Sequence, residues 1–453
     1  MTTADPSAPT LPFHLRGNFA PVLEEATAFD LPIQGVVPHG LDGLFVRNGP
    51  NPKTGQSAHW FVGDGMLHGV ALRDGQALWY RNRWVRTRAF VEDAPGFTEE
   101  GVRDLTVGRA NTHVVAHAGR ILALVETSFP VEVTRELHTV GCYDFDGRLA
   151  TGMTAHPKIC PRTRELHFFA YSWAPPFLTY HRADAAGRLV QSEIIQVPGP
   201  TMIHDFAITE RNVVFMDLPV VFDLELAMSG TIPYRWSDEY GARLGVMPRG
   251  GTNADVRWLE VAPCYVFHPL NAYDEERGEV VLDVVRYPEL WRTESFAGPP
   301  GRLHRWRLDV AAGRVREEPL DDRPIEFPRV DDRRAGLPHR YGYAVDTGRG
   351  VDEFNGTSLV KYDLRAGTST AHDFGSGRVP AEPVFVPASP AAGEDAGWLL
   401  TYVYDAARDA SDLVILAAAD FTGKPVATIP LPRRVPFGFH GSWIPDAGSG
   451  GDR

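Results

Sequence analysis

Helical periodicity is scarce along all 453 residues, whereas short β-branched and aromatic runs recur from end to end. That contrast restricts the chain to β-structure. The runs are 43–47, 77–80, 113–116, 121–125, 166–171, 212–216, 264–268, 279–285, 359–362, 398–404 and 413–417. Turn signals such as Ala118-Gly119-Arg120, Asp146-Gly147 and Glu276-Arg277-Gly278 fall between them, and 44 glycines and 37 prolines are spread as punctuation. The clearest units read strand, turn, strand, as in 113–116 followed by 121–125. Meanders repeated at this density without intervening helices predict an all-β fold, and at this length a β-propeller of four-stranded blades around an axis. No strict repeat is visible, so the blade count does not follow from the residues alone. Seven blades would give about 65 residues each, more than a kelch-type repeat. The surplus predicts long loops gathered as a cap on one face. Residues 1–35 read as an N-terminal arm, and 36–453 as a single propeller domain with inserted cap loops.

The formal charge is −13, from 45 basic and 58 acidic residues, and no basic patch stands out, which argues against a nucleic-acid partner. Three cysteines at wide spacing (Cys142, Cys160, Cys264) suggest no disulfide framework and fit a reducing cytoplasm. Residues 1–12 lack the basic and then apolar regions of a signal peptide, and no run approaches a membrane span. The expected location is therefore cytoplasmic. The apolar stretch 213–228 leaves peripheral contact with a membrane surface open. Nothing in the residues implies an oligomer.

Against this β framework one segment stands apart, Pro436-Phe437-Gly438-Phe439-His440-Gly441-Ser442-Trp443. A histidine between glycines and aromatics so near the end of a propeller chain is placed to return to a shared centre. His156 (Thr-Ala-His-Pro-Lys), His204 (Met-Ile-His-Asp-Phe) and His268 (Val-Phe-His-Pro-Leu) sit in comparable settings. One histidine of the sixteen taken alone is more often a satisfied core or surface residue. The four together are separated by 48 and 64 residues and then by a longer gap, near one blade, one blade and about three blades. That spacing suits ligands dealt out by blade. Imidazole suits iron, zinc, copper or nickel, and four neutral imidazoles leave the 2+ charge uncompensated, which favours Fe(2+) with open positions for O2. Ligand imidazoles need an acceptor on the other ring nitrogen. Glu126, Glu326 and Glu382 are candidates, each a carboxylate in apolar company where an unpaired charge is costly.

Several motifs then occur in order: Gly43-Leu44-Phe45-Val46-Arg47-Asn48-Gly49-Pro50, His59-Trp60-Phe61-Val62-Gly63-Asp64-Gly65-Met66, Thr154-Ala155-His156-Pro157-Lys158, Ile203-His204-Asp205-Phe206, Phe267-His268-Pro269, Glu382-Pro383-Val384-Phe385 and Phe439-His440-Gly441. On these the chain resembles the carotenoid cleavage oxygenase family over nearly its whole length. The resemblance implies a seven-bladed β-propeller with a loop and helix cap, an Fe(2+) held by four histidines, and cleavage of an alkene with O2 into two carbonyl products. It matches His156, His204, His268 and His440 to the iron ligands. Glu126 matches the partner of His204, Glu326 that of His268 and Glu382 that of His440, with no carboxylate for His156. Thr112 matches a residue beside a vacant iron position. Arg47-Asn48-Gly49-Pro50 and Gly63-Asp64-Gly65-Met66 read as turn chemistry, and Trp60 and Phe61 as the residues nearer substrate. Val62 replaces an aspartate common in relatives, a change expected to leave the iron untouched.

Substrate is read from one position. Stilbene cleavers in the family carry a lysine immediately before the first of these glutamates, where it holds a phenolate; here that residue is Val125. An aliphatic side chain removes the clamp and favours an apolar polyene, a carotenoid or apocarotenoid, over a stilbene or phenylpropene. The stretches 213–228 and 287–296 are candidates for the tunnel mouth. A non-oxidative isomerase on the same scaffold and a metal-free binding propeller are the alternative classes, separated by O2 consumption and by an iron assay.

Overall fold

The computed structural model describes residues 11–275, 278–293, 298–350 and 353–446; the ends of the chain, 276–277 within one turn signal and 294–297 within the aromatic stretch lie outside the described residues. Among the described residues, seven antiparallel sheets of four or more strands form the blades, and one extra two-stranded sheet lies outside them. This is the expected seven-bladed propeller. Blade one pairs the N- and C-terminal parts of the chain: Gly441–Pro445 joins Gly43–Pro50, followed by Gly65–Arg73, Gln76–Trp84 and Ala26–Phe29. Closing the ring with both termini leaves no open edge at the axis. Blades two, three and four begin at His113–His117, Lys158–Ile159 and Ala207–Ile208. Blades five and six begin at Tyr265–Asp274 and Ile325–Arg329. In blade seven Arg378–Pro380 and Val384–Pro387 share the inner edge, and Gln34–Gly35 is the outermost strand.

The strands follow the sequence runs because sheet faces in a propeller pack against neighbouring blades. Inner strands are therefore buried on both sides and read as continuous apolar segments. Val280–Tyr287 is buried except at Arg286, and Trp306, Tyr80, Tyr180 and Tyr265 are fully enclosed between blades. Outermost strands such as Arg314–Pro319 and Thr368–Asp373 face water and carry charge and hydroxyl instead.

The cap is short. It comprises a 3-10 turn at Trp60–Val62, the helix Arg88–Val91, and a hairpin of Val220–Phe222 with Tyr234–Trp236. The hairpin encloses the helix Leu224–Ser229, which Asp223 caps at its N-terminus through Leu226 N–H. The 213–228 stretch is thus not one surface feature. Val213–Met216 are buried in the second strand of blade four, because an apolar run in the sheet packs between blades; Leu224 and Met228 alone of the long apolar side chains there are strongly exposed, at 61% and 82%. The three cysteines are unpaired, and no helix among the described residues is long and apolar enough to cross a membrane.

The early motif braces the end of the chain. Asn48 N–H donates to the His440 carbonyl at 2.9 Å and its carbonyl accepts from Phe439 N–H at 3.1 Å. The Asn48 amide donates to the carbonyls of Ala110 (2.7 Å) and His113 (3.0 Å), and Arg47 donates to the Pro436 carbonyl. A Cβ on Gly49 would stand 2.8 Å from Gly438 Cα, so the two backbones approach this closely only as glycines. Val62 is exposed on the cap. Asn48→Ala removes two buried hydrogen bonds and is expected to cost about 1–3 kcal/mol. A lowered thermal unfolding midpoint, with the metal-free protein losing more than the metal-loaded one, checks this.

Candidate metal centre

Four of the seven blades deliver a histidine to the axis and the other three deliver a glutamate. His156, His204 and His440 stand one to three residues before the innermost strands of blades three, four and one, and His268 lies within that of blade five at a register break between Val266 and Pro269. Strand pairing fixes the backbone beyond each of these points, so the side chains inherit their direction from the blades. All four are buried, and their donor nitrogens lie within 4.8 Å of one another. His156 Nε2 is 3.0 Å from His204 Nε2, which is 3.3 Å from His268 Nε2.

The glutamates decide where the ring protons sit. His268 Nδ1 faces Glu326 at 2.6 Å and His440 Nδ1 faces Glu382 at 2.8 Å. Glu126 approaches His204 Nδ1 at 2.5 Å, off the line a hydrogen bond prefers. A carboxylate is an acceptor, so the proton belongs on each Nδ1 and the lone pair on each Nε2 points inward. His156 has no carboxylate in hydrogen-bond range; Asp205 stands 3.8 Å from its Nδ1 and is held by Lys158 at 2.7 Å. Converging lone pairs repel unless a cation lies between them. Two nitrogens each about 2.1 Å from one ion and at right angles stand roughly 3 Å apart, so the observed separations fit shared coordination of a single metal ion.

Charge agrees with that reading. Burial first, and then the neighbouring imidazoles, hold His156 and His440 well below the ordinary value of 6.5, so both are neutral and able to ligate. Burial also pulls His268 down, but the Glu326 carboxylate outweighs it and the net direction is up. The second carboxylate oxygens are fixed too. Tyr171 donates to Glu126, Tyr287 to Glu326 at 2.9 Å, and Gly441 N–H to Glu382 at 2.8 Å with Arg329 at 3.1 Å. Phe327 (φ 54°) and Thr127 (φ 68°), each next to one of these glutamates, adopt left-handed backbone, at a cost of about 1–3 kcal/mol each.

Two cavities meet at the histidines. On the cap side a space is lined by Trp60, Phe61, Val125, Phe267, Phe327 and Phe439, together with Thr112, Tyr287 and three of the histidines. Trp60, Phe61 and Val125, read from the sequence as nearest substrate, are in this wall. Thr112 donates its hydroxyl to Asn111 at 3.0 Å, and Asn111 in turn holds the Phe61 and Gly63 carbonyls. On the far side a larger polar cavity runs down the innermost strands to the turns around Ala118-Gly119, and His156, Asp205, Lys158, Arg329 and Glu382 line it. Tyr287, from the aromatic stretch, belongs to the cap-side wall, whereas Val213–Met216 do not.

Residues the sequence reading passed over complete the site. Tyr171 and Arg329 carry no motif signal of their own. His113 follows Thr112 directly and sits 5.2 Å, ring to ring, from His440. Its Nδ1 faces the Ala155 carbonyl at 3.0 Å, and burial followed by His440 pushes it down to about 3.

The family model described as retinal pigment epithelial membrane protein matches residues 19–445. The carotenoid cleavage oxygenase of Mycobacterium tuberculosis is 42% identical over 98% of this chain and 100% of its own length. Among solved structures, the lignostilbene dioxygenase of Pseudomonas brassicacearum matches with a TM-score of 0.86 at 31% identity, over 96% of this chain and 100% of that one. An apocarotenoid oxygenase of Synechocystis matches with a TM-score of 0.84 at 29% identity, over 96% and 98%.

Two predictions follow from the geometry. Glu326→Gln keeps the shape but removes the charge behind His268, and metal affinity is expected to fall about 10–100-fold, read by competition with a chromophoric chelator. The second concerns pH. His113 and His167 are pushed down to about 3, His59 and His181 to about 4, in each case chiefly by burial. The unfolded chain takes up protons below about 6.5 and the folded one does not, so stability falls as pH drops from about 6.5 towards 3, by up to about 1.4 kcal/mol per unit for each such histidine. The unfolding midpoint of the metal-free protein should decline steadily between about pH 7 and 4.5.

Proposed function

The chain belongs to the carotenoid cleavage oxygenase family, and we propose that it is an Fe(2+)-dependent dioxygenase that splits an alkene of a carotenoid or apocarotenoid with O2 into two carbonyl products. The observation that carries this reading is the convergence of four imidazole lone pairs on the wall of an aromatic cavity. His156, His204, His268 and His440 would hold the iron, with Glu126, Glu326 and Glu382 orienting the last three. When bound, ferrous iron supplies the activation of O2 that organic side chains lack.

The remaining contribution is the chain's own. Trp60, Phe61, Phe267 and Phe439 give a dry, flat-walled space that holds an extended apolar substrate beside the metal position and keeps water out. Position along that space selects the double bond, since no acid or base is needed. Most polar groups of the wall are already engaged: Tyr287 donates to Glu326, Thr112 to Asn111, and the carboxylates face histidines, while the buried Trp60 indole N–H has no partner among the described residues. Among the described residues of the wall there is no lysine or arginine to seat a phenolate, and Val125 is aliphatic where a lysine would do so. This supports a polyene over a hydroxystilbene, the alternative that the likeness to a lignostilbene dioxygenase keeps in view. Peripheral docking on a membrane through the cap, where Leu224 and Met228 are exposed, would supply such a substrate.

Iron-reconstituted protein incubated in air with an apocarotenal and with a hydroxystilbene tests the reading. Paired carbonyl products from the apocarotenal, with matching O2 uptake, are expected. Cleavage of the stilbene alone would overturn the substrate assignment, and isomerised product without O2 uptake would overturn the oxygenase assignment.

A further inference from the structure

The four imidazoles are backed unequally. Behind His204 and His268 the carboxylates of Glu126 and Glu326 meet only neutral donors on their outer oxygens, the hydroxyls of Tyr171 and Tyr287. Phe327 N–H adds a further neutral donor to Glu326 at 2.6 Å. Among the described residues no lysine or arginine lies within ion-pairing distance of either carboxylate. Behind His440 and His156 the arrangement differs. Glu382, hydrogen-bonded to His440, is ion-paired with Arg329 at 3.1 Å. Asp205 stands 3.8 Å from His156 Nδ1, beyond a hydrogen bond and acting on it only through its field, and is ion-paired with Lys158 at 2.7 Å. Both cations line the polar cavity on the far side of the histidines.

A carboxylate on Nδ1–H makes an imidazole a stronger donor in proportion to the negative charge it presents. A phenol leaves that charge nearly whole, whereas a buried guanidinium or ammonium in contact cancels much of it. We propose that Arg329, with Lys158 in the same role, is a positioning residue that divides the ligands into a strongly donating pair, His204 and His268, and a weakly donating pair, His156 and His440. The inference rests on the reading that these four histidines hold the metal ion.

The division has a direction. The strong pair is backed from the cap side, where Glu126 and Glu326 line the aromatic cavity, and the weak pair is backed from the polar cavity. Arg329 also donates to the Gly441 carbonyl at 3.0 Å and to the exposed Asp332 at 3.3 Å. It therefore holds the His440 segment as well as tempering the charge behind it. Lys158 has no bond to the Gly441 segment, which makes the pair of variants informative.

The test measures Co(II) affinity by competition and the midpoint potential of the iron protein in wild type, Arg329→Met, Arg329→Lys and Lys158→Met. Removing either cation is expected to tighten Co(II) by about tenfold and to shift the iron potential to more negative values, with Arg329→Lys close to wild type. Unchanged affinity and potential in both methionine variants would overturn the proposal. So would weaker binding in Arg329→Met that lysine does not restore, since Arg329 would then act only by holding Gly441. If Arg329→Met does not fold, Lys158→Met carries the test alone. A wild-type protein that takes up no metal would instead defeat the four-histidine reading itself.

Discussion

Four imidazole lone pairs aimed at one point repel one another, and much of the molecule serves to keep them there. Three carboxylates pin protons on the outer ring nitrogens, which forces the lone pairs inward. Tyr171, Tyr287, Arg329 and the Gly441 amide then pin the carboxylates. Behind these stand the innermost strands of seven blades, and behind those the apolar contacts between sheets. Left-handed backbone at Thr127 and Phe327, beside two of the glutamates, is the strain that such over-determination sustains. A cation at the centre would convert the repulsion into coordination, which would couple metal binding to folding at this site.

The propeller also separates two environments at the same point. Above the histidines lies an aromatic space with few polar groups, most of them engaged, suited to an apolar chain and to chemistry that water would intercept. Below lies a polar cavity with ion pairs close behind His156 and His440. A helix bundle could present four histidines too, but it would not bring ligands from all round the chain to a plane with unlike solvents on its two sides.

Much of this was legible in the sequence, for a physical reason. Strands inside a blade are buried on both faces, so they write themselves as unbroken apolar runs, and every run read as a strand lies largely within a strand of the sheets. The four histidines were visible because a polar ring among glycine, proline and aromatics is anomalous in such a run. Glu126, Glu326 and Glu382 showed for the same reason. The polar outer strands, such as Arg314–Pro319, were invisible because water contact removes the pattern. The stretch 213–228 divides because apolarity marks burial between blades as readily as a surface patch: Val213–Met216 are buried, whereas Leu224 and Met228 are exposed. Tyr171 and Arg329 stayed hidden because their partners, Glu126 and Glu382, are 45 and more residues away in sequence and meet them only in the closed ring.

One coordination sphere is central to the site, and X-ray absorption at the iron edge of the anaerobically reconstituted protein addresses it directly. The expected result is one iron per chain with a first shell fitted by four imidazoles, falling to three in His156→Ala. An iron bound with two or fewer imidazoles, or a spectrum unchanged by that substitution, would contradict it.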